Sequence, residues 1–195
     1  QEESFAIDST DVWFANNQSG TLHVYKVNHE TAAVTKYNVG NVMGDSNVMG
    51  AALYNGDYYV AVRADDQGAW HGKVLRISST GSLVNTYYPS SGTANFVPSN
   101  KWGQIGVNNG VLTAPSGQPM RDIFAFDVET GNQLWTINES QFGINLNTFD
   151  NPITMMHHSD KYLFIANEGQ SSWSLNNAVT VIDRLTGSVV STITN

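Results

Sequence analysis

The amino-acid sequence predicts an all-β protein, and more narrowly a β-propeller built of four complete four-stranded antiparallel blades. The first observation is a unit that occurs four times: a short apolar strand, a polar turn and a second short apolar strand. The second is the spacing of these turns, whose second residues are 49, 50 and 56 positions apart, at Ala32, Gly81, Gly131 and Gly187. A period of about 50 residues is typical of propeller blades. A β-sandwich of eight hairpins is the alternative.

Each repeat contains four predicted strands, named A to D in chain order. In blade 1 they are Ser4–Ile7, Asp11–Ala15, Val24–Val27 and Ala33–Tyr37. In blade 2 they are Val48–Tyr54, Asp57–Arg63, Val74–Ile77 and Leu83–Tyr87. In blade 3 they are Gln104–Val107, Val111–Ala114, Ile123–Phe126 and Gln133–Ile137. In blade 4 they are Ile153–His158, Lys161–Ala166, Val179–Ile182 and Val189–Ile193. The blades therefore cover about residues 1–40, 41–89, 90–138 and 139–195, as a single propeller domain or a half-propeller.

Turn chemistry and residue size support this division. Asn55-Gly56, between strands A and B of blade 2, predicts a two-residue hairpin because both residues tolerate positive φ. Small residues in the A strands, such as Gly106, suit the crowded axis of a propeller. Larger aromatic side chains are expected to pack between blades, namely Tyr59, Trp135 and Phe164.

The last two repeats carry a more specific pattern. In residues 123–135 an apolar strand is followed by Asp127, Thr130-Gly131 and Leu134-Trp135, which resembles the repeat of quinoprotein-like (PQQ-type) propellers. Residues 181–190 are similar to the related repeat of lactonase-type propellers. The resemblance implies the scaffold and carries no catalytic residue, because residues 28–32 and 78–81 of the first two repeats depart from it.

The strands at which the repeats begin and end bear on how the propeller ring closes. The chain begins with an A strand and ends with a D strand, so no strand is left over for the borrowing that usually closes a propeller. Quinoprotein-like repeats generally belong to rings larger than four blades. We therefore expect half of a larger ring, completed by a missing segment or by head-to-tail pairing with a second copy. A self-closed four-bladed ring is the alternative.

The composition excludes some classes of binding partner and predicts where the protein is located. Nine basic against 17 acidic residues give a net charge of −8, and no Lys/Arg cluster occurs, so neither nucleic acid nor an anionic membrane surface is expected as a partner. No stretch approaches the roughly 20 apolar residues of a membrane span. The absence of cysteine excludes disulfides, thiolate zinc sites and a cysteine nucleophile. The polar, Asn-rich make-up predicts an extracytoplasmic protein: secreted, periplasmic or at the cell surface.

The connections from D to A and from B to C are expected to gather on one face, where propellers usually bind ligands. Two B-to-C connections, predicted as loops over 64–72 and 167–177, share a pattern in which carboxylates and amides precede an indole. An aromatic platform beside hydrogen-bonding side chains suits a sugar, and capping of a blade edge is the alternative. The candidate ligand-binding residues are Asp65, Asp66, Trp70, His71, Trp102, His157, Glu168, Gln170 and Trp173.

Histidines and paired acids are the residues that bear on a metal or catalytic site. His157 and His158 are adjacent in a predicted strand, so they point to opposite faces and do not ligate one metal together. Asp65-Asp66 with Gln67, or Asp45 and Asn47 with nearby carbonyls, supply hard oxygen ligands for Ca²⁺, and solvated loop acids are the alternative. No other cofactor is predicted, and the sequence contains no phosphate-binding loop, nucleophile elbow or zinc-protease motif.

These observations favour a non-catalytic binding or scaffold propeller that presents its loop face to a glycan or a protein partner. A second hypothesis is a fragment of a propeller enzyme of quinoprotein dehydrogenase, lactonase or lyase type, with His71 and His157 near a metal. A third is a self-assembling structural subunit, because open sheet edges pair readily with other chains.

Overall fold

The computed structural model describes residues 5–42, 47–66, 69–98, 105–116, 122–138, 141, 155–167 and 178–194. Sixteen β-strands form four separate four-stranded antiparallel sheets, and these residues contain no α-helix. Within the same ranges no helix is long and apolar enough to cross a membrane. The chain divides between Pro98 and Ser99 into two compact units, of which unit 1 holds the first two sheets and unit 2 the last two.

Unit 1 contains blades 1 and 2, in which each strand pairs with the next one along the chain. Blade 1 consists of β1 (Phe5–Ile7), β2 (Asp11–Gln18), β3 (Thr21–Asn28) and β4 (Val34–Gly40). Blade 2 consists of β5 (Asn47–Tyr54), β6 (Asp57–Asp66), β7 (Ala69–Ile77) and β8 (Leu83–Tyr87).

Unit 2 contains blades 3 and 4 with the same strand order. Blade 3 consists of β9 (Gly106–Asn108), β10 (Val111–Pro115), β11 (Ile123–Asp127) and β12 (Gln133–Ile137). Blade 4 consists of β13 (Met155–His158), β14 (Tyr162–Asn167), β15 (Ala178–Asp183) and β16 (Val189–Thr194). The predicted all-β fold of four complete blades is confirmed.

One predicted loop is wrong. Residues 64–72 were expected to connect strands B and C of blade 2, but β6 and β7 continue their pairing almost to the tip. Ala64 lies opposite His71, and the register extends to Asp66 opposite Ala69. The polar residues that suggested a loop therefore belong to an elongated hairpin, which carries Trp70 away from the body of the sheet.

The turns between strands C and D are closed by a recurring side-chain acceptor. Oδ1 of Asp127 accepts hydrogen bonds from the N–H of Glu129 at 3.0 Å, from the N–H of Thr130 at 2.7 Å and from the Thr130 hydroxyl at 2.9 Å. Asn28 and Asp183 accept equivalent bonds in blades 1 and 4. In blade 2 the hydroxyl of Ser78 accepts from the N–H of Ser82 at 3.1 Å. These short-range bonds explain why the turn recurs at a fixed place in every repeat.

The core of unit 1 lies between its two blades and centres on an aromatic stack. Trp13 is stacked between Tyr37 and Tyr58, with ring centroids 6.2 and 5.9 Å away. Around this stack the buried core residues are Ala15, Leu22, Val24, Val60, Val62, Leu75 and Ile77. Burial of about ten such side chains is the main term that holds blade 1 against blade 2.

Unit 2 is held by an apolar cluster and by one buried arginine. The cluster joins the blades through Ile123, Ile137, Met156, Leu163, Ile165 and Ile182, with Trp135 packed against it. Arg184 is 1 % exposed and donates to the carbonyls of Ser159, at 3.0 Å, and Val111, at 2.8 Å. Its own carbonyl accepts from Nε1 of Trp135 at 2.8 Å. Trp135 therefore packs between blades as predicted. The ring of Tyr59 also contacts Tyr87 and that of Phe164 contacts Tyr162, within their own blades.

Glycines permit close contact between neighbouring blades, as two examples show. A Cβ on Gly106, in strand A of blade 3, would overlap the ring of His158 in strand A of blade 4. A Cβ on Gly81, in the C-to-D turn of blade 2, would overlap Tyr37 of blade 1. The expected need for small residues in the A strands is confirmed at Gly106.

Candidate functional site

The described part of the predicted ligand face centres on Arg63 and Trp70, on neighbouring strands of the elongated hairpin. Arg63 lies opposite Gly72 and Asp65 opposite Trp70, so the Arg63 and Trp70 side chains share one face of the sheet. The guanidinium carbon lies 4.4 Å from the centre of the indole ring. This is a close cation–π contact, and it fixes the orientation of both half-buried side chains.

The hydrogen bonds of the Arg63 guanidinium are described only in part. Among the described residues its buried Nε has no hydrogen-bond partner. The Asp65 and Asp66 side chains lie outside the described part of the chain, and only their backbone pairing in β6 is known. A guanidinium stacked on an indole offers N–H donors beside an apolar surface, a combination that suits hydroxyl, carbonyl or carboxylate oxygens.

The segment after strand β8 braces this hairpin. The N–H of Asn95 donates to the carbonyl of Trp70 at 2.6 Å, and the N–H of Gly72 donates to the carbonyl of Thr93 at 3.2 Å. An isolated antiparallel bridge joins His71 to Ala94. A Cβ on Gly72 would overlap the carbonyl of Phe96 and the ring of Pro98, so only glycine permits this approach. The backbone that carries Trp70 is thereby held on both sides.

His71 does not join Trp70 in one site. The two residues are adjacent in β7, so their side chains point to opposite faces of the sheet. Nδ1 of His71 lies 3.5 Å from the hydroxyl of Thr93, in the segment that follows strand β8. The structure therefore separates a candidate pair that the sequence had grouped together.

The two histidines of strand β13 also diverge, as predicted. His157 is exposed and lies opposite Phe164, with ring centroids 6.4 Å apart. His158 points towards blade 3, where its Nδ1 is 3.1 Å from the hydroxyl of the fully buried Thr113. That contact belongs to the seam between blades, and its burial leaves no room for a substrate beside the hydroxyl.

Four candidate residues lie outside the described residues, namely Trp102, Glu168, Gln170 and Trp173. Within the described ranges, no group of three or more His, Asp or Glu side chains is arranged to hold a metal ion. Because the side chains of Asp65 and Asp66 are not described, the calcium hypothesis stays a prediction. Arg63 was not among the candidate residues predicted from the sequence. The signal that could have identified it is an arginine near the end of one strand and a tryptophan near the start of the next.

Other charged groups nearby serve the framework. Arg76 and Asp57 form an ion pair at 2.7 Å near the opposite end of blade 2, and Lys26 reaches Asp11 at 3.0 Å in blade 1. Burial lowers the pKa of Lys73 and raises that of Tyr58. Asp57 and Arg76 lie on the same face of blade 2 as Trp70 but near its other end, and Lys73 and Tyr58 lie on the opposite face. Beside Trp70, the charged side chain that the structure describes on this face is Arg63.

Comparison with known proteins identifies the fold. No protein-family model and no curated protein matches the chain. Among solved structures it is similar to BamB from Moraxella catarrhalis, at 15 % identity and a TM-score of 0.59, over 97 % of this chain and 49 % of that one. It is also similar to hydrazine synthase from Kuenenia stuttgartiensis, at 18 % identity and a TM-score of 0.60, over 96 % of this chain and 47 % of the other.

The WD40 domain of Toxoplasma gondii coronin gives the same result, at 11 % identity and a TM-score of 0.59, over 99 % of this chain and 46 % of that one. These proteins are β-propellers, and similarity at such low identity establishes the fold alone. The chain is thus built of β-propeller blades, and it spans about half the length of the structures that it matches.

Proposed function

We propose that this chain is a non-catalytic binding or scaffold propeller that acts outside the cytoplasm. In this proposal the tip of the β6–β7 hairpin is presented to a glycan or to a protein partner. The observation that carries it is the Arg63–Trp70 pair, in which a guanidinium 4.4 Å from an indole is held on a braced hairpin. Tryptophan and arginine are the side chains that most often dominate binding surfaces.

The rigidity of the hairpin favours recognition. The hydrogen bond from Asn95 to Trp70 and the packing of Gly72 under Phe96 hold the pair before any ligand arrives. A preformed site loses less conformational entropy on binding than a mobile loop does.

The broader assignment rests on the scaffold. The resemblance of residues 123–135 to quinoprotein-like repeats supports membership of that class of propellers as part of the proposal. Propellers use one scaffold for many functions, so the ligand must be argued from the hairpin tip itself. The cysteine-free, acidic composition supports an extracytoplasmic location.

A glycan array with the 195-residue chain and its Trp70→Ala variant tests the glycan ligand. We expect one glycan class to bind the unmodified chain, and Trp70→Ala to weaken binding at least tenfold, which corresponds to about 1.4 kcal/mol. Tyr54→Ala is the matched control, because Tyr54 is an aromatic residue at the end of strand β5, beside the Asn55-Gly56 turn and at the other end of the blade from Trp70. Equal binding by all three proteins would contradict the role of Trp70.

An array without any binder would remove the glycan from the proposal. The protein partner is then tested with a photo-crosslinking amino acid at position 70, and with the same amino acid at position 54 as control. A partner that crosslinks from position 70 alone supports the proposal. Identical crosslinking from both positions, or from neither, overturns it.

A further inference from the structure

One face of blade 1 is apolar and open. Side chains of all four strands share this face, because they form two rows of directly paired residues across the sheet. The first row is Phe5, Phe14 and Tyr25. The second row is Ile7, Val12, Val27 and Val34. The rings of Phe14 and Tyr25 are stacked 4.8 Å apart. Ile7 is 61 % exposed and Val34 62 % exposed. We name these seven residues the blade 1 outer face.

The corresponding face of blade 2 shows what such a surface does. The two blades can be aligned by placing Asn28 of blade 1 on Ser78 of blade 2, because each begins a C-to-D turn. In this alignment Tyr25 and Val27 of strand β3 correspond to Leu75 and Ile77 of β7. Their partners in β2, Phe14 and Val12, correspond to Val60 and Tyr58 of β6. Those four blade 2 residues are fully buried in the core against blade 1. In the same alignment Ile7 corresponds to Leu53, which packs against that core. The blade 1 outer face therefore has the composition and register of a seam between blades.

Blade 4 carries the complementary surface. Blades 1 and 4 can be aligned in the same way, by placing Asn28 on Asp183. Blade 1 packs on blade 2 through four residues: Trp13, Ala15, Val24 and Tyr37. The corresponding residues of blade 4 are, in the same order, Phe164, Ala166, Val179 and Ile193. Ile193 is 60 % exposed and Phe164 is half-buried. We name these four residues the blade 4 outer face.

The size of the residue at one position of the C-to-D turn gives a further argument. In blade 2 the turn residue Gly81 is covered by Tyr37, and in blade 4 Gly187 is covered by Trp135, with 2.8 Å from an added Cβ to the indole. The turn of blade 1 carries Ala32 instead, at φ +56° and exposed. A covering aromatic would meet the Ala32 methyl group. Blade 4 has Ser191 at the position of Trp135 and Ile193 at that of Tyr37, so its smaller side chains leave room for this methyl group.

We propose that the blade 1 outer face binds the blade 4 outer face of a second copy of this chain, repeating the seam that joins blade 1 to blade 2. The matched registers, the exposed Ile7 and Ile193, and the fit of Ser191 to Ala32 support a copy of this chain as the occupant. The solved propellers that it matches are about twice as long as this chain, so two copies reach the length of those structures. This assembly goes beyond the proposed ligand binding, which a single copy provides through its hairpin tip.

Sedimentation velocity over a dilution series of the intact chain tests the pairing. We expect a mass of 21.3 kDa at low concentration and at least twice that mass at high micromolar concentration. Ile7→Glu, which places a charge in the blade 1 outer face, is expected to weaken association at least tenfold. Val84→Glu is the matched control, since Val84 is a 50 % exposed apolar residue of blade 2 outside both faces.

A monomer at every concentration overturns the proposal, and so does an equal effect of Val84→Glu. Crosslinking keeps the test independent of how well Ile7→Glu folds. The chain has no cysteine, so Ala32→Cys and Ile193→Cys each introduce a single thiol. Under a mild oxidant we expect a disulfide-linked pair when the two variants are mixed. An intramolecular disulfide in the double variant at high dilution would show a self-closed ring instead and would overturn pairing between copies.

Discussion

At the scale of single residues, the most repeated device is the side-chain oxygen that closes each C-to-D turn. Asp127 and Asp183 do this with a carboxylate, whereas Asn28 does it with an amide and makes the same set of three bonds. The N–H of Thr130 is the main reason that the pKa of Asp127 is lowered, and the N–H of Thr186 lowers that of Asp183. The turn needs an acceptor and not a charge, which makes the two carboxylates a source of acid sensitivity.

We expect Asp127→Asn to make the protein less sensitive to acid. A carboxylate with a lowered pKa stabilises the fold fully above its unfolded pKa of about 4, and this contribution is lost as the pH falls through the lowered value. The urea midpoint of the unmodified chain should therefore fall between pH 5 and pH 2.5 by more than that of the variant. At pH 7 the two midpoints should agree within about 0.5 M, because the amide at Asn28 shows that the turn accepts it. A steeper acid loss in the variant would contradict this account.

At the scale of elements, the residue after the turn threonine decides how closely the preceding blade approaches. Its φ is positive in all four turns, at Ala32, Gly81, Gly131 and Gly187. Glycine adopts this conformation without strain, whereas an L side chain does so at a cost of about 1 kcal/mol. At Gly81 the covering ring of Tyr37 adds a steric reason to the conformational one.

We expect Gly81→Ala to lower the free energy of unfolding by at least about 2 kcal/mol, from backbone strain together with displacement of Tyr37. Ala32→Gly is the reverse change at the equivalent exposed position. It should be neutral or stabilising by up to about 1 kcal/mol, because it removes the strain without disturbing a covering ring. Urea denaturation of both variants measures the difference. If the two variants change the free energy of unfolding by equal and opposite amounts, backbone strain alone explains both changes, and the contact with Tyr37 makes no contribution.

The strands were predictable because their determinants are local. Apolar residues and turn residues such as Asn55-Gly56 fix a strand and its end within a few positions. The tip of the β6–β7 hairpin was missed because Asp65 and Asp66 have the composition of a loop, and because what extends the strands there is the packing of Phe96 and Pro98 on Gly72, about 25 residues later. Arg63 and Trp70 were not paired in advance for the same reason, since their contact depends on that register.

At the scale of the whole molecule, charge and apolar surface act in opposite directions on assembly. Each copy carries a net charge of −8, so two copies repel one another at low ionic strength. The two outer faces named above are nearly free of charged side chains and gain by leaving water.

We therefore expect added salt to strengthen the pairing. Raising NaCl from 50 to 500 mM shortens the Debye length to a few ångströms, which should lower the dissociation constant by about threefold or more. Sedimentation at both salt concentrations measures this, with Ile7→Glu as the control that associates more weakly at each of them. Weaker association at high salt would indicate an interface held by ion pairs and would argue against the apolar faces.

The indoles of Trp13 and Trp135 have a practical consequence. Trp13 is 2 % exposed in the seam of unit 1, and Trp135 packs on the turn of Gly187 in the seam of unit 2. A variant in which the other three tryptophans are replaced by phenylalanine would retain one intrinsic fluorophore at each seam. Its emission during denaturation would then report when each pair of blades separates, without any added label.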